Sequence, residues 1–555
     1  MVMWKKGSDA LYVDLISEAG PKGICIDTDE QGNIVVADLR SNAATNPLRA
    51  DKTISTLNKS DATSVEKRSK GNELFVRQQW FEAMEMYNES LCFAEKGSVN
   101  ASLAYANRAF TFLKLEMYNE CFADIELAKK AGYPEMSKLE QRKAICSNSM
   151  KEDTDSPNAR WKPKLDYDPN EKFPCLANIL NIERSGDCDV AVVANEDIAV
   201  GRIIAMEESF TVSLHQRFGW KCCICLKHSV NLVPCTNCTV AMFCSDECRE
   251  SFLHKDECGK MMKCEQMEQM RGILIAINSF ANADELMDFV EETIQSDCNE
   301  TPENLIDTRS KYRIFLKLSL HSKLCGSEFF GAQYVYPIYK FLLDIPRIGT
   351  FFNSLKHQRF LMHLIGHHVQ IGHRNTRMIK QQNLGDRVMQ MESQYSFTGL
   401  LQKYFTHSCA PNVQMISFDN MSIYFTVRPV RKGDTLQQSF FPFLQESRKL
   451  RQSVLLEQKE IVCKCIRCRG PNASYSMRQR MTQDPDYCYI ASNGSSSTQI
   501  ILNYEELVKR SDDFLTKYGR EIWCDEIAGV VTLCITLKRL EIQGFTLQVP
   551  GKGGN

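Results

Sequence analysis

The 555-residue sequence has no excess of charge of either sign: 67 lysines and arginines stand against 69 aspartates and glutamates. That balance excludes the basic footprint that direct nucleic-acid binding requires. Long apolar runs are missing as well. The start, Met1-Val2-Met3-Trp4-Lys5-Lys6, lacks the apolar stretch of a signal peptide. The longest nearly apolar run, Ile527 to Leu537, is too short to cross a bilayer. The expectation is therefore a soluble intracellular protein without a membrane segment. At this length it should hold roughly three or four domains.

Cysteine is what the sequence has in abundance. In a reducing compartment its 24 cysteines are expected to serve as metal ligands rather than disulfides. Eleven fall into clusters, and the scattered remainder read as small buried hydrophobes.

Residues 1–60 show no firm pattern, and Ser41 to Ala62 reads as a linker. From Ser64 to about Met150 the pattern is helical and repeats. Gly71, Ala83 and Tyr87 mark one unit; Ala109, Cys121, Ile125 and Ala128 mark the next. Gly71 and Ala83 are 12 apart, as are Ala109 and Cys121, and the units are 38 apart. Small residues at that spacing fit stacked helical hairpins of tetratricopeptide (TPR) type, because two helices must cross closely there. A third unit starts at Lys138 with Ala144 in the equivalent place. Ser147 to Arg160 reads as a second linker.

Farther on, Ala191–Ala194 and Arg202–Met206 read as a strand pair about Val200-Gly201. Residues 260–385 look mainly helical. Strand character returns at Val413–Phe418 and Ile423–Val427 and ends at the turn Lys432-Gly433-Asp434. The chain is helical again from about Gln499.

Eight ligands stand in one run: Cys222, Cys225, Cys235, Cys238, Cys244, Cys248, His254 and Cys258. Paired Cys-x2-Cys steps present two thiolates on one tight turn, as tetrahedral zinc requires, and eight ligands fill two closed structural sites. Cys223 could compete with Cys222. Downstream, Thr406-His407-Ser408-Cys409-Ala410-Pro411-Asn412 is followed by Cys463, Cys465 and Cys468, which need a fourth ligand; Cys409 is the obvious candidate.

The run from Cys222, with Ala241-Met242-Phe243-Cys244-Ser245 and the ending His254-x3-Cys258, resembles the MYND zinc finger. The resemblance implies interleaved sites: Cys222, Cys225, Cys244 and Cys248 in one, Cys235, Cys238, His254 and Cys258 in the other. Only five residues separate Cys248 from His254, fewer than that finger usually has, so the helix carrying Cys248 and His254 is expected to be shortened. Together with the downstream cysteines, the layout resembles the SET and MYND domain-containing family of protein-lysine methyltransferases over roughly residues 171–470. The TPR-like segment matches its longer subgroup.

The resemblance implies an α+β multidomain fold. It divides into a segment and linker at 1–63, TPR hairpins at 64–148, a linker at 149–165, and the first part of a split, β-rich SET domain at 166–221. The MYND finger follows at 222–258, a helical insert at 259–395, the SET core at 396–445, a post-SET zinc segment at 446–470 and a helical region at 471–555. Three zinc ions are expected, the third on Cys409, Cys463, Cys465 and Cys468. By resemblance the cofactor is S-adenosylmethionine, and cytoplasm and nucleus are the expected locations.

Three positions depart from the family's chemistry. Asp189 stands where a glycine lets the cofactor approach, and its carboxylate would repel the cofactor's own. Thr406 replaces the asparagine before His407, losing the amide's paired donor and acceptor. Phe440 replaces the tyrosine whose hydroxyl faces the reacting amine. Thr406 and His407 are the candidate cofactor contacts, and Tyr404 or Ser439 the candidate substitutes for the lost hydroxyl. The matching residues hold architecture and the departing ones would touch cofactor or amine, so cofactor binding and catalysis are expected to be weak or lost.

In the repeats, Arg68, Asn72, Asn107, Lys138 and Arg142 occupy the places of the carboxylate clamp of chaperone-binding TPR modules. Cations and amides aimed at carboxylates suit an acidic C-terminal peptide, by resemblance that of a cytosolic heat-shock chaperone. Three functions follow: an active methyltransferase, a catalytically degraded scaffold joining a chaperone to MYND-bound partners, or a transcriptional regulator acting through the finger.

Overall fold

The computed structural model describes residues 24–28, 34–38, 58–152, 163–185, 189–215, 219–260, 262, 264–297, 300–320, 334–382, 392–441 and 444–542. Strands β1 (Ile24–Thr28) and β2 (Ile34–Asp38) pair antiparallel, so the first 60 residues contain order that the sequence pattern did not announce.

Small residues decide how the next helices cross. Helices α1 (Asp61–Val76) and α2 (Trp80–Phe93) form one hairpin, and α3 (Val99–Lys114) and α4 (Tyr118–Lys130) a second. Helix α5 (Met136–Glu152) packs on α4. A Cβ on Gly71 would lie 2.6 Å from the Tyr87 ring, so α1 and α2 could not approach as they do with any larger residue. Ser60 and Ser98 cap α1 and α3 by accepting backbone N–H bonds. The stretch from Ser147, read as a linker, stays helical to Glu152; residues 153–160 lie outside the described part.

Beyond it, β3 (Leu180–Ser185) pairs antiparallel with β4 (Asp189–Ala194). The strand β5 (Ile203–Glu208) does not pair with β4, contrary to the expected strand pair. It joins β12 (Val413–Phe418) and β13 (Met421–Thr426) in a sheet ordered β12-β13-β5. Strand propensity is local, whereas partner choice is not: the alternating Leu180–Ser185 segment satisfies β4, and β13 offers Ile423 opposite Met206. A third sheet combines β6 (Thr211–Leu214), β10 (Glu392–Thr398) and β9 (Arg377–Gln382). The strand β9 thus interrupts a stretch expected to be helical.

The cysteine module contributes β7 (Val233–Pro234), β8 (Met242–Phe243), α6 (Asp246–Arg249) and α7 (Phe252–Glu257). Helices α8 (Cys264–Ser279), α9 (Ala283–Gln295), α10 (Thr308–Leu316), α11 (Tyr336–Leu343), α12 (Pro346–Phe351) and α13 (Leu355–Asn375) follow. The short strands β11 (Thr406–His407) and β14 (Gln437–Gln438) run parallel. Helices α14 (Arg448–Lys459) and α15 (Ile466–Arg469) carry the last cysteines, and α16 (Tyr475–Gln483), α17 (Pro485–Asn493), α18 (Ser497–Leu502), α19 (Tyr504–Tyr518) and α20 (Asp525–Ile542) close the described chain. No helix among the described residues is long and apolar enough to cross a membrane.

Among the described residues three large apolar cores result. One packs β3–β5 on α8–α13 through Leu180, Val192, Ile204, Leu274 and Ile365. Another packs β12 and β13 on the last helices through Ile423, Phe425, Phe514 and Ile527. The third joins the helical hairpins to the cysteine module through Ala104, Phe112, Trp220, Leu232 and Phe243.

Candidate metal centres and transfer site

The expected ligands meet in three groups of four: Cys222, Cys225, Cys244 and Cys248; Cys235, Cys238, His254 and Cys258; and Cys409, Cys463, Cys465 and Cys468. Within each group all ligand atoms lie within 4.8 Å of one another. A tetrahedral zinc with bonds to sulfur of about 2.3 Å sets sulfur–sulfur edges of about 3.8 Å. Cys225 and Cys244 stand 3.5 Å apart, Cys235 and Cys258 3.7 Å, and Cys409 and Cys463 3.8 Å. The donor sets therefore fit zinc.

Local structure explains the convergence. The β7–β8 pair folds the chain back, with Val233 opposite Phe243, and Cys235 donates its N–H to Ala241 O. Amides of Asn237 and Cys238 point at Cys235 Sγ, at 3.3 and 3.4 Å. Hydrogen bonds from the Cys225 and Cys244 thiols lower the Cys222 thiol to about 2, and neighbouring thiols likewise hold Cys235 and Cys465 far below the usual range. Burial opposes protonation of His254, but bonds to Cys235 and Cys238 lift its imidazole to about 9.

The second site brings together its four expected ligands despite the short Cys248–His254 spacing. Two short helices, α6 and α7, take up the difference, and His254 Nε2 lies 3.1 Å from Cys235 Sγ. Cys222, not Cys223, joins the first group. Burial pushes the Cys223 thiol well up, and its carbonyl accepts from Arg271.

Sequence reasoning missed what anchors this module to the hairpins. Arg108 is fully buried and donates twice to Asp124, at 2.6 and 2.8 Å, to Asn88 Oδ1 at 2.6 Å and to Leu232 O in the module at 3.1 Å. Asn231 of the module bonds Asp124 Oδ1 at 2.7 Å. The only sequence hint is that Arg108 sits among small apolar residues on α3.

Farther along, β4, Thr406–His407 and Phe440 come together. Val192 donates to Tyr404 O and accepts from Leu436 N–H, so β4 lies between those two segments. Asn412 bonds Thr435 O and Gln437 N, fixing the loop around His407. His407 Nδ1 accepts the Phe440 N–H at 3.1 Å, and its Nε2 is 3.5 Å from Cys409 Sγ. Burial lowers this imidazole to about 4, so it is neutral. Thr406 Oγ1 is buried without a hydrogen-bond partner among the described residues. Asp189 opens β4 opposite Ser185.

Neither expected substitute hydroxyl is free to replace a tyrosine at Phe440. Ser439 Oγ donates to Phe441 O at 2.7 Å and accepts the Phe441 N–H. Tyr404 is buried in the core, which pushes its phenol far up. A cation that the sequence did not single out also reaches this place, with a second beside it. Arg377 donates to Gln438 Oε1 at 3.0 Å, opposite His407 in the β11–β14 register, and Lys459 donates to Arg374 O.

In the hairpins, Asn107 donates to Asn72 Oδ1 at 2.8 Å, and Tyr87 donates to the same oxygen at 3.0 Å. Arg142 bonds Ala106 O at 2.7 Å with its guanidinium 4.6 Å from the Phe110 ring centre. Arg68 lies one turn before Asn72, its Nε buried without a partner among the described residues. Lys138 is exposed and pairs with Glu135. Asn72, Asn107 and Arg142 thus adjoin, while Lys138 is turned to a local carboxylate.

No protein-family model matches the chain. It is 26% identical over 219 residues to Protein-lysine N-methyltransferase SMYD4 of Danio rerio, covering 35% of this chain and 28% of that protein. Against the Homo sapiens protein of the same name it is 26% identical over 267 residues, covering 34% and 33%. A SET domain-containing protein of Acanthamoeba polyphaga mimivirus is 26% identical over 113 residues, covering 20% and 41%. The matches with the two SMYD4 proteins span about a third of those relatives' length.

Proposed function

Because the chain belongs to the SET and MYND domain-containing family, we propose that it carries that family's S-adenosylmethionine-dependent protein-lysine methyltransferase scaffold with weak or lost transfer, and that it works mainly by holding other proteins. The single observation behind this reading is the pairing at His407: a phenyl ring, Phe440, stands where the resemblance calls for a hydroxyl, and Ser439 and Tyr404 are engaged or buried. Loss of one positioned proton-handling group costs about 10²–10⁴ in rate.

The surrounding groups also fit S-adenosylmethionine poorly. Thr406 offers one hydroxyl in place of an amide, and both nitrogens of His407 face protein atoms, one a backbone N–H and the other a ligand sulfur. Calorimetric titration of the purified protein with S-adenosylhomocysteine tests this. Weak or absent binding supports the reading, and tight stoichiometric binding overturns it.

On this reading residues 64–148 form the TPR unit, 222–258 the MYND finger and 446–470 the post-SET segment, with zinc at all three four-ligand groups in a structural role. The juxtaposed Asn72, Asn107 and Arg142 support a clamp for an acidic C-terminal peptide of a heat-shock chaperone. One face of the finger is packed on the hairpins, so its partners would meet the opposite face. The second reading, an active lysine methyltransferase, is favoured by the similarity to the protein-lysine N-methyltransferases SMYD4.

A further inference from the structure

The end of α13, the start of β9 and the end of α14 bring three cations to one place. Lys459 Nζ donates to the Arg374 carbonyl, and Arg377 reaches Gln438, two residues before Phe440. Arg374 is neutralised by Glu460, at 2.7 Å. Among the described residues no carboxylate pairs with Arg377 or Lys459. The nearby Glu207 makes no ion pair with Arg377: its Oε1 accepts the Leu400 and Leu401 amides, and its Oε2, buried without a hydrogen-bond partner among the described residues, acts on the guanidinium only at longer range. Crowding of like charge is evident at Lys459: burial, then Arg377 and Arg374, depress its amine to about 8.

Partly buried cations without counter-charges are costly unless a ligand supplies the charge. An incoming lysine ammonium would add a further cation to the cluster. A carboxylate or phosphate would meet a guanidinium and an ammonium, both of which favour oxyanions. We propose that Arg377 and Lys459, backed by Arg374, form an anion-binding site for an acidic or phosphorylated segment of a partner protein, beside the place where the family accepts lysine. The cluster stands on its own geometry; only its position beside the acceptor place rests on the family reading.

Fluorescence anisotropy on the zinc-loaded full chain tests this with capped peptides of one framework carrying glutamate, phosphoserine or lysine at the same positions. Acetylated and amidated ends keep them from the hairpin clamp. The glutamate or phosphoserine peptide should bind about tenfold or more tightly than the lysine peptide, and binding of phosphoserine alone identifies phosphate as the group read. Arg377→Gln with Lys459→Gln should weaken that binding by a similar factor, whereas Lys459→Arg and Arg142→Ala should leave it intact. If the double variant loses zinc or unfolds, Lys459→Gln against Lys459→Arg carries the comparison. Equal or tighter binding of the lysine peptide, indifference to removal of the two cations, or loss in Arg142→Ala would each overturn the proposal. Robust methyl transfer would overturn the reading of weakened catalysis without touching this result.

Discussion

Phe440 donates its backbone N–H to His407 Nδ1 at 3.1 Å and sets its ring against the imidazole, 5.2 Å between centres. The imidazole is thereby fixed as a neutral acceptor, and its other nitrogen faces Cys409, a member of the third four-ligand group. Restoring a hydroxyl by Phe440→Tyr leaves Thr406 and the cations at Arg377 and Lys459 unchanged. That variant should therefore stay near background in a labelled-methyl assay. Full recovery on this one change would show that the other departures are harmless.

The three four-ligand groups predict three zinc ions per chain by elemental analysis. Because closed sites contribute folding free energy directly, chelation should unfold their surroundings, and Cys409→Ser should leave two ions. One ion or none in the wild type contradicts the fit of all three donor sets; two would spare the finger but reject the third group.

Arg108 and Asp124 are both fully buried, so Asp124→Ala leaves an uncompensated guanidinium between the hairpins and the cysteine module. The expected loss is about 3–5 kcal/mol, read by denaturant unfolding. A loss under about 1 kcal/mol would mean that the junction is solvated in solution.

At the hairpins, Arg142→Ala should weaken an acidic C-terminal chaperone peptide by about 2 kcal/mol. The same peptide with an amidated end should bind poorly. Equal affinity for the two peptides counts against a carboxylate clamp.

Glu207 is buried, and burial outweighs the Leu400 and Leu401 amides to raise its carboxyl from the ordinary 4.5 to about 7. Between those values the folded state keeps a proton that the unfolded chain has released. Stability should therefore fall as pH rises through this window. Glu207→Gln should flatten that slope in thermal unfolding; an unchanged slope would place its origin elsewhere.

Metal ligands were the most legible part of the sequence, because Cys-x2-Cys spacing is a local consequence of tetrahedral coordination. Gly71 and Ala83 were legible for a similar reason: close crossing admits only small side chains. Pairing of β5 with β13 was not, since residues more than two hundred apart must meet. Nor were Arg108, Arg377 and Lys459, each an ordinary cation in a helix or strand until the fold buries it beside a partner far along the chain.

Transfer of labelled methyl groups from S-adenosylmethionine to protein lysines, by wild type and His407→Ala side by side, tests the central claim most directly. Weakened catalysis predicts counts near background for both proteins. Strong lysine methylation by the wild type, abolished in His407→Ala, would contradict it.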